Sequence, residues 1–484
     1  MILQLNHLQA KAAASTTQEV VAALYALLEE GHIDQKQFAH IQVQLDWVQY
    51  KQNFREMVTA SRPLCDDRRE SAPILDIRVD ARQIVAETMK SETLRAIRDA
   101  NRESGEEPDA LVLEDIQSFR RSIAWTFNKT YWSRLKDWEV ATGKGYEQAL
   151  PGGSSDGNND DAINDSVGDF WTLLRDMETK KQLPPEIFIL EIGVGSGKRC
   201  GRFVQKFQDL DTQRGTNYYP KLRVLMGDYS LETLDMSRPA MHQHLELCSF
   251  LALDAVNPLK TLGFLRHKVL YVHSTNMYDN LPDEEMVRRD GRLYFVHARA
   301  TIPMRDARKL AEAFEVPVEN LRGIIDRLLE GRKDFLGDPA RGMQFWMQLW
   351  NAIKLDERLV SVEDLRDDPF PGGLDAAKLE ASLQNAPADL RFHVSSGALE
   401  SFVNTLPLLH PRGYLQVQDI FVKDFNDYRL GFFGPGKLGG SIVNWVNGAL
   451  LKEVAERAGY DVHFAPYRYR KDSKTSILYT TPRE

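Results

Sequence analysis

The run Phe188-Ile189-Leu190-Glu191-Ile192-Gly193-Val194-Gly195-Ser196-Gly197-Lys198 constrains this chain more than any other segment. Its first half is apolar and ends on an acid. Its second half alternates glycine with other residues, giving E-x-G-x-G-x-G. The pattern predicts a buried strand opening into a tight loop, followed by a helix from about Arg199 to Gln208. Glycines admit positive φ and let a ligand approach the backbone closely. The helix N-terminus adds a partial positive charge, and a carboxylate at the strand end can accept hydrogen bonds from a hydroxylated or cationic ligand.

Two phosphate-binding fingerprints fit poorly. Lys198 stands where G-x-G-x-x-G has its third glycine, and Ile192 and Arg199 break G-x-x-x-x-G-K-[ST]. A second partial match, Gly431 to Lys437, has Leu438 where Ser or Thr would hold magnesium. Its glycine-rich surroundings, Gly431 to Ser441, make it a candidate substrate-gating loop.

Further apolar runs follow the glycine loop: Leu222 to Asp228, Ser249 to Ala255, Lys268 to His273 and Gly413 to Asp419, with two more strands near 460–464 and 475–479. With Phe188 to Glu191 they make seven strands alternating with helical stretches, the signature of a parallel α/β sheet. The last strand is expected to run antiparallel.

Glu191, Asp228 and Asp254 close three successive strands. The carboxyl edge of an open α/β sheet is where ligands bind. The ordered acids with Gly193, Gly195 and Gly197 resemble the cofactor site of class I S-adenosylmethionine (SAM) methyltransferases. The resemblance implies a Rossmann-like seven-stranded sheet. It implies that Glu191 and the glycines hold the methionine and ribose parts of SAM. Asp228, with Ser230 after it, would take the ribose hydroxyls, and Asp254 and the Ala255 N–H the adenine. The interval from Gly197 to Asp228 is longer than that family's usual spacing.

A second resemblance covers about twenty residues. Ser274 to Asp283, followed by Val287-Arg288-Arg289-Asp290-Gly291, is similar to the N-E-x-x-D-A-L-P segment and R-D-G turn of the MidA/NDUFAF7-like protein arginine methyltransferases. Met277 and Asn280 replace the Glu and Ala of that pattern. The resemblance places Asn276, Tyr278 and Asp279 beside the transferred methyl group as catalytic residues. Asp279 is the first candidate base and His273 the second. Tyr278 is a candidate for stacking on a cation. No metal is needed, because methyl transfer is an in-line displacement that depends on alignment and exclusion of water.

Residues 1–168 read as an N-terminal helical domain. Thr16 to Glu19 resembles a capping box, and helical character continues through residues 35–57. Trp125, Trp132 and Trp138 read as core. A polar run, Pro151 to Asp161, reads as a flexible link. The α/β domain is expected over 169–299 and 393–484, with a helical insertion at 300–392. These additions point to a covered site and to an acceptor that is large or demanding, with proteins and peptides among the candidates.

The chain has 484 residues and a net charge of -9, which argues against phosphate contacts to nucleic acid. No apolar run approaches the ~20 residues of a membrane span. Cys65, Cys200 and Cys248 form no C-x-x-C pair, and the expected location is a reducing cytoplasm. The resulting expectation is a cytoplasmic SAM-dependent enzyme with an unidentified acceptor and without metal, nucleic acid or membrane. The rival expectations are a methyltransferase-fold assembly or binding factor without catalysis, and another SAM-derived transferase on the same fold.

Overall fold

The computed structural model describes residues 2–6, 14–46, 50, 52–61, 75–101, 109–145, 155–289, 291–362, 373–430 and 434–483. Cys65, Asp290, residues 151–154 of the polar run, and 431–433 lie outside them.

The protein is a mixed α/β structure. Its central sheet contains β1 (Ile187–Ile192), β2 (Leu222–Asp228), β3 (Cys248–Ala252), β4 (Val269–Thr275), β5 (Leu409–Asp419), β6 (Tyr460–Ala465) and β7 (Ser476–Pro482). Their spatial order is β3-β2-β1-β4-β5-β7-β6. The first five run parallel, and β7 is antiparallel to both of its neighbours. The continuous apolar reading of β1 and β4 has a physical cause, since both faces of this sheet are covered. On one face, Phe170 and Leu174 of helix Asp160–Thr179 and Phe203 and Phe207 of helix Lys198–Arg214 pack on Ile189 and Tyr271. On the other, Leu399, Phe402, Leu450 and Leu451 cover Leu190, Val272 and Val417. Each such side chain contributes roughly 1.5–3 kcal/mol on burial.

Three expected boundaries fall inside elements. Residue 168 lies within helix Asp160–Thr179, which packs on the central sheet, so the α/β domain begins earlier. Residue 300 lies within the strand Arg292–Pro303, and residue 392 within Leu390–His393. The segment between β4 and β5 is not purely helical. It builds an antiparallel sheet in the order Lys354–Ser361, Arg292–Pro303, Glu285–Arg289, Leu390–His393. Past the end of Glu285–Arg289, the same edge of Arg292–Pro303 pairs with Gln117–Ser118 and Ala110–Val112. Helices Met304–Ala313, Leu321–Leu329 and Pro339–Ala352 share a core with Trp125, Phe127, Tyr131 and Trp138, so these aromatics are packing residues.

The N-terminal part is not all-helical either. Ile2–Asn6, Ile41–Asp46 and Leu75–Asp80 run parallel, with Val58–Ser61 antiparallel beside the last. Helices Ala14–Glu29 and Ala86–Ala100 cover this small sheet. Helix Ala14–Glu29 begins two residues before Thr16, so the capping-box reading misplaces its start. Ile41, Val43 and Leu45 are buried between half-exposed Gln42 and Gln44, a period of two that a helical reading of 35–57 overlooks. The described end of the polar run is packed: Gly157 is buried, and a Cβ built on it would lie 2.3 Å from the Gln418 amide oxygen.

Candidate functional site

The site is assembled at the carboxyl ends of β1, β2, β4 and β5. After β1 the chain turns through Gly193, Gly195 and Gly197 at φ +73°, +51° and +71°. These glycines serve different ends. A Cβ on Gly197 would lie 2.8 Å from the Ser237 carbonyl oxygen, and one on Gly193 would lie 3.1 Å from Met277 Cγ. One on Gly195 would meet no atom within 4 Å. The middle glycine therefore faces open space, while Gly197 is pressed against backbone and Gly193 lies close to the Met277 side chain.

Asp228 ends β2 beside this loop. Its Oδ1 accepts the Ser230 N–H at 3.0 Å. Burial pushes its carboxyl up to about 6, against the lowering pull of backbone N–H groups at Ser230, Gly195 and Tyr229. The Ser230 hydroxyl caps helix Leu231–Ser237, accepting the Thr233 N–H at 3.2 Å. Asp254, after β3, is exposed, and its Oδ1 accepts the Val256 N–H at 3.0 Å; Ala255 is half-buried.

Glu191 is placed differently from its sequence reading. Its carboxylate turns into the fold, where Oε2 accepts from Arg199 Nη1 at 2.9 Å and Oε1 lies 3.1 Å from His273 Nδ1. Arg199 Nη2 also donates to the Tyr271 hydroxyl at 3.1 Å. Burial alone would raise the Glu191 carboxyl, but Arg199 and His273 hold it below the usual range. Burial, reinforced by Arg199, lowers His273, which is therefore the neutral imidazole at pH 7. Arg199 was visible in sequence only as the residue that breaks the phosphate-loop match.

After β4, Asn276 takes φ +48°, donates its backbone N–H to the Gln418 carbonyl at 2.9 Å, and reaches Ser155 Oγ through Nδ2 at 2.9 Å. Tyr278 lies in the apolar core with its phenol beside Ser401. Asp279 is buried next to Asp419, the last residue of β5, which sequence reasoning did not single out. Asp419 Oδ2 accepts the N–H groups of Tyr278 at 2.9 Å and Asp279 at 3.3 Å, and its Oδ1 accepts that of Ile420 at 2.8 Å. Burial pushes Asp419 up to about 6. Burial, then the charge of Asp419, pushes Asp279 well up. Asp419, with more N–H partners, ionises first. Burial, then the charge of Asp279, likewise raises the Tyr50 phenol. The Asn444 N–H donates to the Asp279 carbonyl at 3.0 Å, and its buried side-chain amide has no partner among the described residues.

Helix Ile123–Ser133 lies across this edge. Asn128 Nδ2 and Trp132 Nε1 donate to the Asn280 carbonyl and side-chain oxygens at 3.0 and 3.1 Å. At the β2 side, the Tyr229 hydroxyl donates to the Lys129 carbonyl at 2.8 Å. The described part of the expected gating loop is pinned. Gly436–Leu438 pairs with Ser441–Val443, and Lys437 Nζ donates to the carbonyls of Trp350 and Ile353, the latter at 2.7 Å. Lys437 thus caps the end of helix Pro339–Ala352 rather than serving a phosphate.

Among the described residues no cluster of His, Cys, Asp and Glu has the geometry to hold a metal, and no helix is long and apolar enough to cross a membrane. The strand order, the reversed β7 and the glycine loop after β1 define a class I methyltransferase-like fold. No protein-family model matches the chain, and no curated protein sequence matches it. Among solved structures it is similar to a Burkholderia thailandensis protein bound to S-adenosyl-homocysteine, at 12% identity and TM-score 0.43, over 76% of this chain and 88% of that one. It is also similar to the CMeT domain of the citrinin polyketide synthase, at 11% identity and TM-score 0.29, over 98% and 80%. At these scores the likeness is partial, and the reading of the site rests on the chain's own geometry.

Proposed function

We propose that this protein is a SAM-dependent methyltransferase acting on a nitrogen or oxygen acceptor. The observation that carries the reading is the open approach at Gly195, flanked by the Asp228 carboxylate and roofed by helix Ile123–Ser133. These residues fit the cofactor: a loop with no Cβ in the way, an acid placed for hydroxyl groups, and Asp254 with the backbone after β3 for the base. Bound there, SAM would supply an electrophilic methyl carbon.

The chain's own work is positioning and proton handling. Asp228 in its ionised form accepts from hydroxyls. The helix roof excludes water, which strengthens every charge interaction beneath it. Glu191, turned inward to Arg199 and His273, shapes the loop. Asp279 and Asp419 titrate as a pair, so the proton lost by an acceptor at Asp279 is taken up by the pair rather than by one isolated base. A protein or peptide acceptor is consistent with the amount of structure built around the edge.

Calorimetry with SAM and S-adenosyl-homocysteine tests the cofactor, with micromolar binding expected. No heat with either, alongside tight NADH binding, overturns the assignment. Untargeted mass spectrometry of methylated species in cells with and without the gene tests the reaction. Cofactor binding with no methylated species lost would favour a non-catalytic binding factor, a reading supported by the burial that raises the Asp279 carboxyl.

A further inference from the structure

A cavity of about 450 Å³ lies between helices Ile123–Ser133 and Leu135–Thr142 on one side and the insertion's Leu328 to Trp346 on the other. It takes no part in the chemistry described above. Its floor is the helical core: Leu328, Phe335, Met343 and Trp346 are at most 8% exposed. The Trp346 indole N–H is buried with no hydrogen-bond partner among the described residues.

The mouth has the opposite character. Arg134, Lys136, Arg332 and Lys333 line it, and Asp137 is the sole acid among the lining residues. Arg134 is only 12% exposed and is fixed in place by Asp137 Oδ2 at 3.0 Å and by the Gly331 carbonyl. Lys333 and Arg332 project further out, at 62% and 54% exposure, Lys333 3.9 Å from Asp137 Oδ2 and Arg332 3.9 Å from Asp334 Oδ1, so the four cations face two acids. A surplus of cations around an apolar well selects an anion with an apolar body. The volume is within the ~300–1,000 Å³ of small-molecule sites.

We propose that this cavity binds a small amphiphilic carboxylate, of the class of medium-chain acyl acids, with the chain on Phe335, Met343 and Trp346 and the head at Arg134 and Lys333. The site abuts the roof of the methyl-transfer region. Thr130 lines it, and the adjoining residues of the same helix, Lys129 and Trp132, hold Tyr229 and Asn280. The proposal is independent of the methyltransferase reading and stands or falls on binding alone.

Calorimetry on the full chain with decanoate, decylamine and acetate decides it. Decanoate is expected to bind at least tenfold more tightly than decylamine or acetate. The double variant Arg332→Glu/Lys333→Glu should weaken decanoate at least tenfold. Ala340→Trp, which fills the rim, should abolish binding with the thermal midpoint unchanged. Lys452→Glu, a remote charge reversal, should change nothing. Equal binding of decanoate and decylamine, binding untouched by both cavity variants, or no binding of decanoate would each overturn the proposal.

Discussion

Asp419 holds the turn that carries Asp279: one carboxylate oxygen at the end of β5 accepts the backbone N–H of Tyr278 at 2.9 Å and that of Asp279 at 3.3 Å. The acid placed nearest the expected chemistry is thus positioned by a second acid, and the two share a buried setting. Asp279→Asn is expected to lower turnover with the true acceptor far more than it weakens SAM. Asp419→Ala should do the same and also loosen the turn, lowering the thermal midpoint. An unchanged rate in Asp279→Asn would leave that residue a purely structural part of the turn.

Gly195→Arg should abolish SAM and S-adenosyl-homocysteine binding in calorimetry while the circular dichroism spectrum stays that of the parent. A side chain at φ +51° costs ~1–2 kcal/mol of strain, which a chain of this size absorbs. Gly197→Ala should behave in the opposite way, since its Cβ would meet the Ser237 backbone at 2.8 Å. Its thermal midpoint should fall further than that of Gly195→Arg. Equal loss of stability in the two variants would contradict the division of labour within the loop.

Cofactor affinity should depend on pH through Asp228. A hydroxyl donor favours the ionised carboxylate, so binding lowers its pKa and releases a proton. Affinity is then full above pH 6 and falls as pH drops through about 6, where the free group takes up its proton. Calorimetry between pH 5 and 8 should show this fall, and Asp228→Asn should bind weakly with a flat profile. A parent profile as flat as that of the variant would remove Asp228 from the contact.

The Glu191–Arg199 pair predicts a stability pattern. Glu191→Ala leaves the guanidinium buried without its partner, which costs about 3–5 kcal/mol. Replacing both, as Glu191→Leu/Arg199→Met, should recover most of that loss in urea unfolding. Full additivity of the two single changes would show that the pair is not coupled.

Hydrogen exchange should show protection rising on S-adenosyl-homocysteine binding at Glu191 to Gly197 and along Ile123–Ser133. Residues 436–443 should change little, because Lys437 and the strand pairing already hold them. Protection confined to the glycine loop would mean that the helix is a fixed roof and does not respond to ligand.

The central sheet was legible because each buried parallel strand is a short apolar run ending on a polar residue at the ligand edge. The glycine loop was legible because its backbone demands leave few alternatives. The arginine partner of Glu191 was illegible for the complementary reason: an acid at a strand end has the same one-dimensional signature whether it faces a ligand or an arginine eight residues later, past the glycine loop. Asp419 carried the same signal as Asp228, a strand run closed by an acid, and went unread only because no family motif falls on it. The peripheral sheets were harder. Lys354–Ser361 is half-exposed and charged, and its strand identity comes from pairing with Arg292–Pro303 rather than from its own residues.

The strand Arg292–Pro303 bears on how the protein is made. Val112 pairs with Thr301, and Ser118 with His297. Emerging from the ribosome, the segment around Val112 must wait for roughly 190 further residues, about 10–40 s at ordinary synthesis rates, before its partner exists. During that interval Trp125, Phe127 and Trp138 have no insertion core to enter. The order of synthesis therefore leaves this aromatic segment in need of a chaperone, and fragments ending before residue 303 should be recovered bound to one.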